Sequence, residues 1–69
     1  MTRTIEQNFA DLNAIAAAGF AYTIRKYAGA WVPVVIAKGK RHTFAHCSTS
    51  FGAMDIAIRE AAKMARAAA

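Results

Sequence analysis

The sequence predicts an α+β domain of order α-β-β-β-α, a three-stranded antiparallel sheet with two helices packed on one face. Three observations carry that expectation. Apolar residues recur at helical spacing near both ends of the 69-residue chain, they alternate singly through its middle, and Gly19, Gly29 and Gly39 punctuate the boundaries. Residues 1–69 make one small domain, because a chain of this length buries only about 60% of the surface its unfolded form exposes.

The first helix is expected over Thr4 to Ala18. Thr4 and Gln7 have capping-box spacing, Ile5, Phe9, Leu12 and Ala16 form one apolar stripe, and Gly19 suits a left-handed residue just past the helix end. "FAYTIRKY" at 20–27 alternates and reads as a half-buried strand. Tyr27-Ala28-Gly29 follows as a three-residue hairpin loop, "WVPVVIA" as the second strand, a tight turn at 38–40, and "RHTFAHC" as the third strand. Pro33 conflicts with a middle strand, which needs its amides for pairing, so the sequence implies a bulge there or an edge position for that strand. "STS" at 48–50 offers three candidate N-caps. The last helix is expected over Phe51 to Ala67, with Phe51, Met54, Ile58, Ala61 and Ala65 as its buried stripe.

These loop lengths sort the strands into two faces. Ile24 would stand opposite Val32 and Tyr22 opposite Val34, giving a helix-covered face of Phe20, Tyr22, Ile24, Val32, Val34, Ile36, Thr43, Ala45 and Cys47. The open face would then carry Thr23, Arg25, Trp31, Pro33, Val35, His42, Phe44 and His46. Rings interleaved with cations suit a single-strand nucleic-acid platform, in which rings stack on bases and cations hold phosphates. The same Trp31, Val35 and Phe44 equally suit burial against a protein, and an apolar content of 57% puts the protein interface ahead.

Charge points to the same region. The net charge is +5, and residues 20–47 hold Arg25, Lys26, Lys38, Lys40 and Arg41 without one acid. A basic patch of this kind attracts phosphates or acidic proteins at long range. One cysteine, a polar N-terminus without an apolar signal core, and a longest apolar run of ten residues interrupted by Pro33 suggest a cytoplasmic protein with no membrane partner.

Catalytic and metal readings find little support. On a strand, His42 and His46 would lie about 13 Å apart, too far for one ion with bonds of about 2 Å. Cys47 reads as a small core residue facing away from His46, so a Cys–His nucleophile pair is poor. Glu6, Asp11, Asp55 and Glu60 are expected on helix surfaces, with Asp55 and Arg59 as an ordinary i, i+4 pair, and no glycine-rich phosphate loop is present. No metal or cofactor is expected, and no catalysis.

The element order, with "KGK" joining the last two strands and "STSFGAMDIAIREAAKMA" opening the final helix, resembles the double-stranded-RNA-binding domain in topology. That family grips major-groove phosphates with a lysine-rich start to its last helix. The matching positions here are Phe51 and Gly52, and the loop "YAGAW" has no histidine, so no RNA-binding residue is carried over. In size, lopsided charge and lack of catalytic groups the chain also resembles the small proteins of phages and mobile elements, such as anti-CRISPR inhibitors. Such proteins act by occluding a nucleic-acid path or a subunit surface.

The sequence therefore leads to a small inhibitory or accessory protein docking on a nucleoprotein complex. The expected binding residues are Arg25, Trp31, His42, Phe44 and His46, with Lys38, Lys40 and Arg41 at the rim. Direct RNA or DNA binding by the same residues is the alternative, and a homodimer that buries Trp31 is a third reading.

Overall fold

The computed structural model describes residues 5–68, with side chains from Glu6 onward. Helix α1 (Ile5–Ala18), strands β1 (Ala21–Tyr27), β2 (Ala30–Ala37) and β3 (Lys40–Thr43), and helix α2 (Ser50–Ala68) follow in that order. The sheet is antiparallel, with β2 in the middle. The architecture is therefore the α+β arrangement that the periodicities predict. No described helix is long and apolar enough to cross a membrane.

Helix α1 ends as its glycine requires. Gly19 takes φ 73°, its amide donates to the Ala16 carbonyl, and the Phe20 amide donates to the Ile15 carbonyl, both at 3.1 Å. This pair of bonds satisfies two carbonyls that would otherwise be orphaned at the helix end, and it brings Phe20 against Ile15 in the core. The Thr4 side of the expected capping box and the Ile5 side chain lie outside the described residues. The rest of the expected stripe is corrected: Phe9 is 61% exposed and Ala16 is exposed, whereas Asp11 and Ile15 are buried. The closed helix end fixes the rotation of α1 through Ile15. Asp11, one turn earlier on the same face, then reaches Arg66 of α2 at 2.6 Å. Asp11 is thus not the surface acid that the sequence suggests.

Both hairpin turns have two residues. Ala28 and Gly29 take φ 48° and 80°, and Lys38 and Gly39 take 52° and 75°. Two consecutive left-handed residues match the right-handed twist of the strands they join. Tyr27 consequently belongs to β1, paired with Ala30, and the expected three-residue loop is one residue too long. That residue moves the register. Tyr22 pairs with Val35 and Ile24 with Pro33, where Val34 and Val32 were expected.

Because side chains alternate across a strand, the shift inverts the faces of β2 and β3 while leaving β1 as expected. The helix side carries Tyr22, Ile24 and Lys26 from β1, Trp31, Pro33, Val35 and Ala37 from β2, and Lys40 and His42 from β3. The core confirms which side this is: buried Ile15, Val35, Ala37, Ala61 and Ala62 cluster with Phe20, Tyr22, Phe44, Ile58 and Met64 around them. The open side carries Ala21, Thr23, Arg25 and Tyr27, then Val32, Val34 and Ile36, then Arg41 and Thr43. Val34 is buried even there, flanked in register by Thr23 and Thr43.

Pro33 sits in the middle strand, and the ladder bends to fit it. Trp31 and Cys47 exchange two bonds, at 2.9 and 2.7 Å, so odd-numbered β2 residues direct their polar groups toward β3. At Pro33 only half a pair can form, the Phe44 amide donating to the Pro33 carbonyl at 3.0 Å. Three residues, Phe44 to His46, then oppose the two between Trp31 and Val34, which is a bulge on the partner strand. The same alternation gives Tyr27, Arg25, Thr23 and Ala21 the β1 bonds to β2 and turns the amides of Tyr22, Ile24 and Lys26 outward.

Helix α2 begins at a Thr49 cap, whose Oγ1 accepts the Gly52 amide at 3.0 Å. Its buried residues are Ala53, Ala57, Ala61, Ala62 and Ala65. Ala61 and Ala65 were expected there, but the stripe is set by alanines four apart, with Met54 and Ile58 at its margins. Phe51 lies on the other side and is 88% exposed. Small side chains let α2 lie close over β1 and β2, and a large residue on this line would hold it away.

Candidate binding surface

The eight sequence-derived binding residues do not share one face. Arg25 and Arg41 are exposed on the open side, on the two outer strands. Trp31 and His42 are half-buried on the helix side, and Phe44 packs against the core. The expected stacking platform of Trp31, His42 and Phe44 on the open face is therefore corrected, and the one-residue difference in the first hairpin is its cause. His46 is exposed in the bulge, and Lys38 and Lys40 are exposed at the second turn. His42 lies in β3 and His46 beyond its end.

What the fold does bring to the end of the sheet that holds the first hairpin turn is a group of aromatic and cationic residues distributed over both of its sides. Tyr27 closes β1 there and is 57% exposed. Lys26 Nζ stands 5.4 Å from the centroid of the Trp31 ring, within cation–π range, where the pair shields one ring face and holds the ammonium at the surface. Trp31 is tied to Cys47, and Cys47 lies under Gly52, where an added Cβ would meet its Cβ at 3.7 Å. The first turn of α2 is thereby held at this end, and Phe51 projects from it into solvent. Arg25 stands near the same end on the open side with Tyr27, and His46 precedes Cys47 in the chain. Cys47 itself is half-buried.

Tyr27, Lys26 and Phe51 are the members that sequence reasoning missed. A three-residue loop takes in Tyr27, and the 3-4-3-4 spacing with Met54, Ile58, Ala61 and Ala65 puts Phe51 inside. The signal that would have excluded Phe51 is the Ala53-Ala57-Ala61-Ala65 spacing, since two residues before Ala53 is nearly the opposite face of a helix. At the other end of the sheet, Lys38 and Arg66 flank a groove of about 450 Å³ lined by Ala14, Ala17, Ala18, Phe20, Ala65 and Ala68.

The electrostatics follow the layers. All four acids are on the helices; Asp11 pairs with Arg66 and Asp55 with Arg59, the latter at 3.2 Å as the i, i+4 spacing predicts. Among the described residues no ion pair engages Arg25, Lys26, Lys38, Lys40 or Arg41. The sheet layer is thus a source of uncompensated positive potential, strongest toward a partner that is itself anionic. Among the described residues no three of His, Cys, Asp and Glu come together as metal ligands.

Comparison of the chain with protein-family models, with curated proteins and with solved structures finds no match.

Proposed function

We propose that the protein is a non-catalytic accessory or inhibitory protein that docks on a nucleoprotein complex through the first-hairpin end of its sheet. The observation that carries this reading is that Lys26 over Trp31, exposed Tyr27 and Arg25 on the opposite side, and the exposed Phe51 and His46 near Trp31's partner Cys47 all fall toward one end of a sheet without acids. Phe51 exposes nearly all of its ring to water, and such a residue at the rim of a cationic patch suits a partner that offers both an apolar pocket and phosphates. Lys38, Lys40 and Arg41 lie away from this end and contribute long-range attraction. His42 and Phe44, on the covered side, support the strand without touching the partner.

The test places a photo-crosslinking amino acid at Phe51, and at Lys63 as a control on exposed helix surface. The expected result is a crosslink from position 51 to a protein that co-purifies with nucleic acid and survives nuclease treatment. Equal labelling from positions 51 and 63 would remove the surface from consideration.

Direct nucleic-acid binding is the second reading, favoured by the five sheet cations without acidic partners. In that case position 51 crosslinks to the nucleic acid itself, and affinity falls linearly in log salt as counterions are released.

A further inference from the structure

The outer edge of β1 is an unpaired strand edge of unusual regularity for so small a sheet. The amides of Tyr22, Ile24 and Lys26 point away from β2, and none of them donates to another described residue. The strand runs seven residues with an uninterrupted register and no proline. The opposite edge is different, since β3 has four residues and breaks into a bulge after Thr43. Proteins commonly guard exposed edges with bulges, prolines, short strands or charge. β1 has only charge, in Arg25 and Lys26, and charge guards selectively. It repels the cationic edge of a second copy and attracts an acidic strand.

We propose that β1 accepts an extended segment of a partner protein as a fourth strand, and that this segment alternates apolar and acidic residues. Strand addition takes its affinity from the main chain and its selectivity from the side chains that alternate across the pleat. On the helix side an incoming strand meets half-buried Tyr22 and Ile24, which suit apolar residues. On the open side it meets Thr23 and Arg25, which suit carboxylates. Lys26, at the end of the edge, adds a second cation. The Ile24 carbonyl has only a long contact from the Thr23 hydroxyl, at 3.5 Å, and remains available as an acceptor. This edge shares Arg25 and Lys26 with the hairpin-end group, but the proposal rests on the outward amides of β1 and stands without that reading.

The probe is a synthetic acetylated hexapeptide of alternating valine and glutamate, with a valine–lysine counterpart as control. Amide exchange is followed residue by residue in the isotope-labelled protein. The glutamate peptide is expected to slow exchange at Tyr22, Ile24 and Lys26 by about tenfold at saturation, while Thr23 and Arg25, already bonded to β2, change little. The lysine peptide should leave all five unchanged. Ile24→Pro removes one outward amide without touching the bonds to β2, because proline is tolerated on an edge whose N–H faces solvent, and it should abolish the protection. The double variant Arg25→Glu with Lys26→Glu keeps every backbone amide and should transfer the preference to the lysine peptide, so the test does not depend on the proline variant folding. Unchanged exchange at the three outward amides with the glutamate peptide would overturn the proposal. So would equal protection by both peptides, or the same protection by single-stranded RNA, which would make the edge a general polyanion site.

Discussion

Tyr27 pairs with Ala30 across a turn whose first member, Ala28, is held at φ 48°. An L-residue with a Cβ is strained in this region, by roughly 1–2 kcal/mol, whereas asparagine and glycine enter it readily. The strain is accepted because the two-residue turn fixes a register in which Val35, rather than Val34, faces the helices.

Ala28→Asn should therefore stabilise the protein by roughly 0.5–1 kcal/mol, read as a higher midpoint in chemical denaturation at unchanged slope. Lys38→Asn, at the equivalent position of the second turn, should do the same. A loss of stability from Ala28→Asn would mean that the first turn is not left-handed at this residue. In that event the register, and with it the placement of Trp31, would have to be revised.

The packing of α2 yields a contrast between a large residue and a small one. Phe51→Ser removes a ring that touches little, and should change stability by no more than about 0.5 kcal/mol. Ala57→Leu adds volume where the helix meets the sheet and leaves no exposed surface, and should cost about 1–3 kcal/mol by overpacking. Thermal or urea unfolding of the two variants decides the matter. If Phe51→Ser were the more damaging, the stripe of Phe51, Met54, Ile58, Ala61 and Ala65 would be the correct one.

That contrast also marks how far the sequence could be read. Element order, Gly19 as the helix-ending residue, Asp55 with Arg59, and the second two-residue turn are written in local chemistry, and each is found as expected. The faces of β2 and β3 were not legible, because they hinge on whether Tyr27 is counted into the loop or the strand, and tyrosine is at home in a strand end. The rotation of α1 was not legible either. Gly19 marks where the helix ends but not that Ile15 turns inward, and the contact Asp11 then makes with Arg66, 55 positions away, is one that no local pattern encodes. The candidate site suffered most, since Trp31 and Phe44 owe their side of the sheet to a turn several residues away. Arg25 kept its side because β1 was read in the right phase, whereas Arg41, expected only at the rim, comes to the open side with Ile36.

The N-cap of α2 predicts a coupling. Thr49→Ala removes the acceptor for the Gly52 amide and should cost about 1 kcal/mol. Gly52→Ala would gain helix propensity, but its new Cβ would stand 3.1 Å from Thr49 Oγ1, a contact the capping hydroxyl must yield to. The gain of roughly 0.5–1 kcal/mol should accordingly appear in full only when Thr49 is already alanine, and be much smaller in the natural background. A double-mutant cycle by urea denaturation measures this. Strict additivity would show that Gly52 does not make room for the cap.

Salt dependence separates the two ways in which the sheet cations could serve the proposed function. If all five bind a single strand directly, log K should fall against log salt with a slope of about −0.7 per phosphate neutralised, or about −3.5. If only Arg25 and Lys26 at the hairpin end engage phosphates, the slope should be about −1.4. Docking on a nucleoprotein through Phe51 and Tyr27 predicts the shallower value, together with weak binding to naked strands at physiological salt. The lone Trp31 reports the titration without a label, because its ring lies beneath Lys26 and a bound phosphate would draw that ammonium away. Lys26→Ala should flatten the slope by about 0.7 and alter the starting emission, whereas Lys38→Ala, at the far end of the sheet, should leave both unchanged under this reading. An equal effect from Lys38→Ala would shift the balance to direct binding by the whole basic layer.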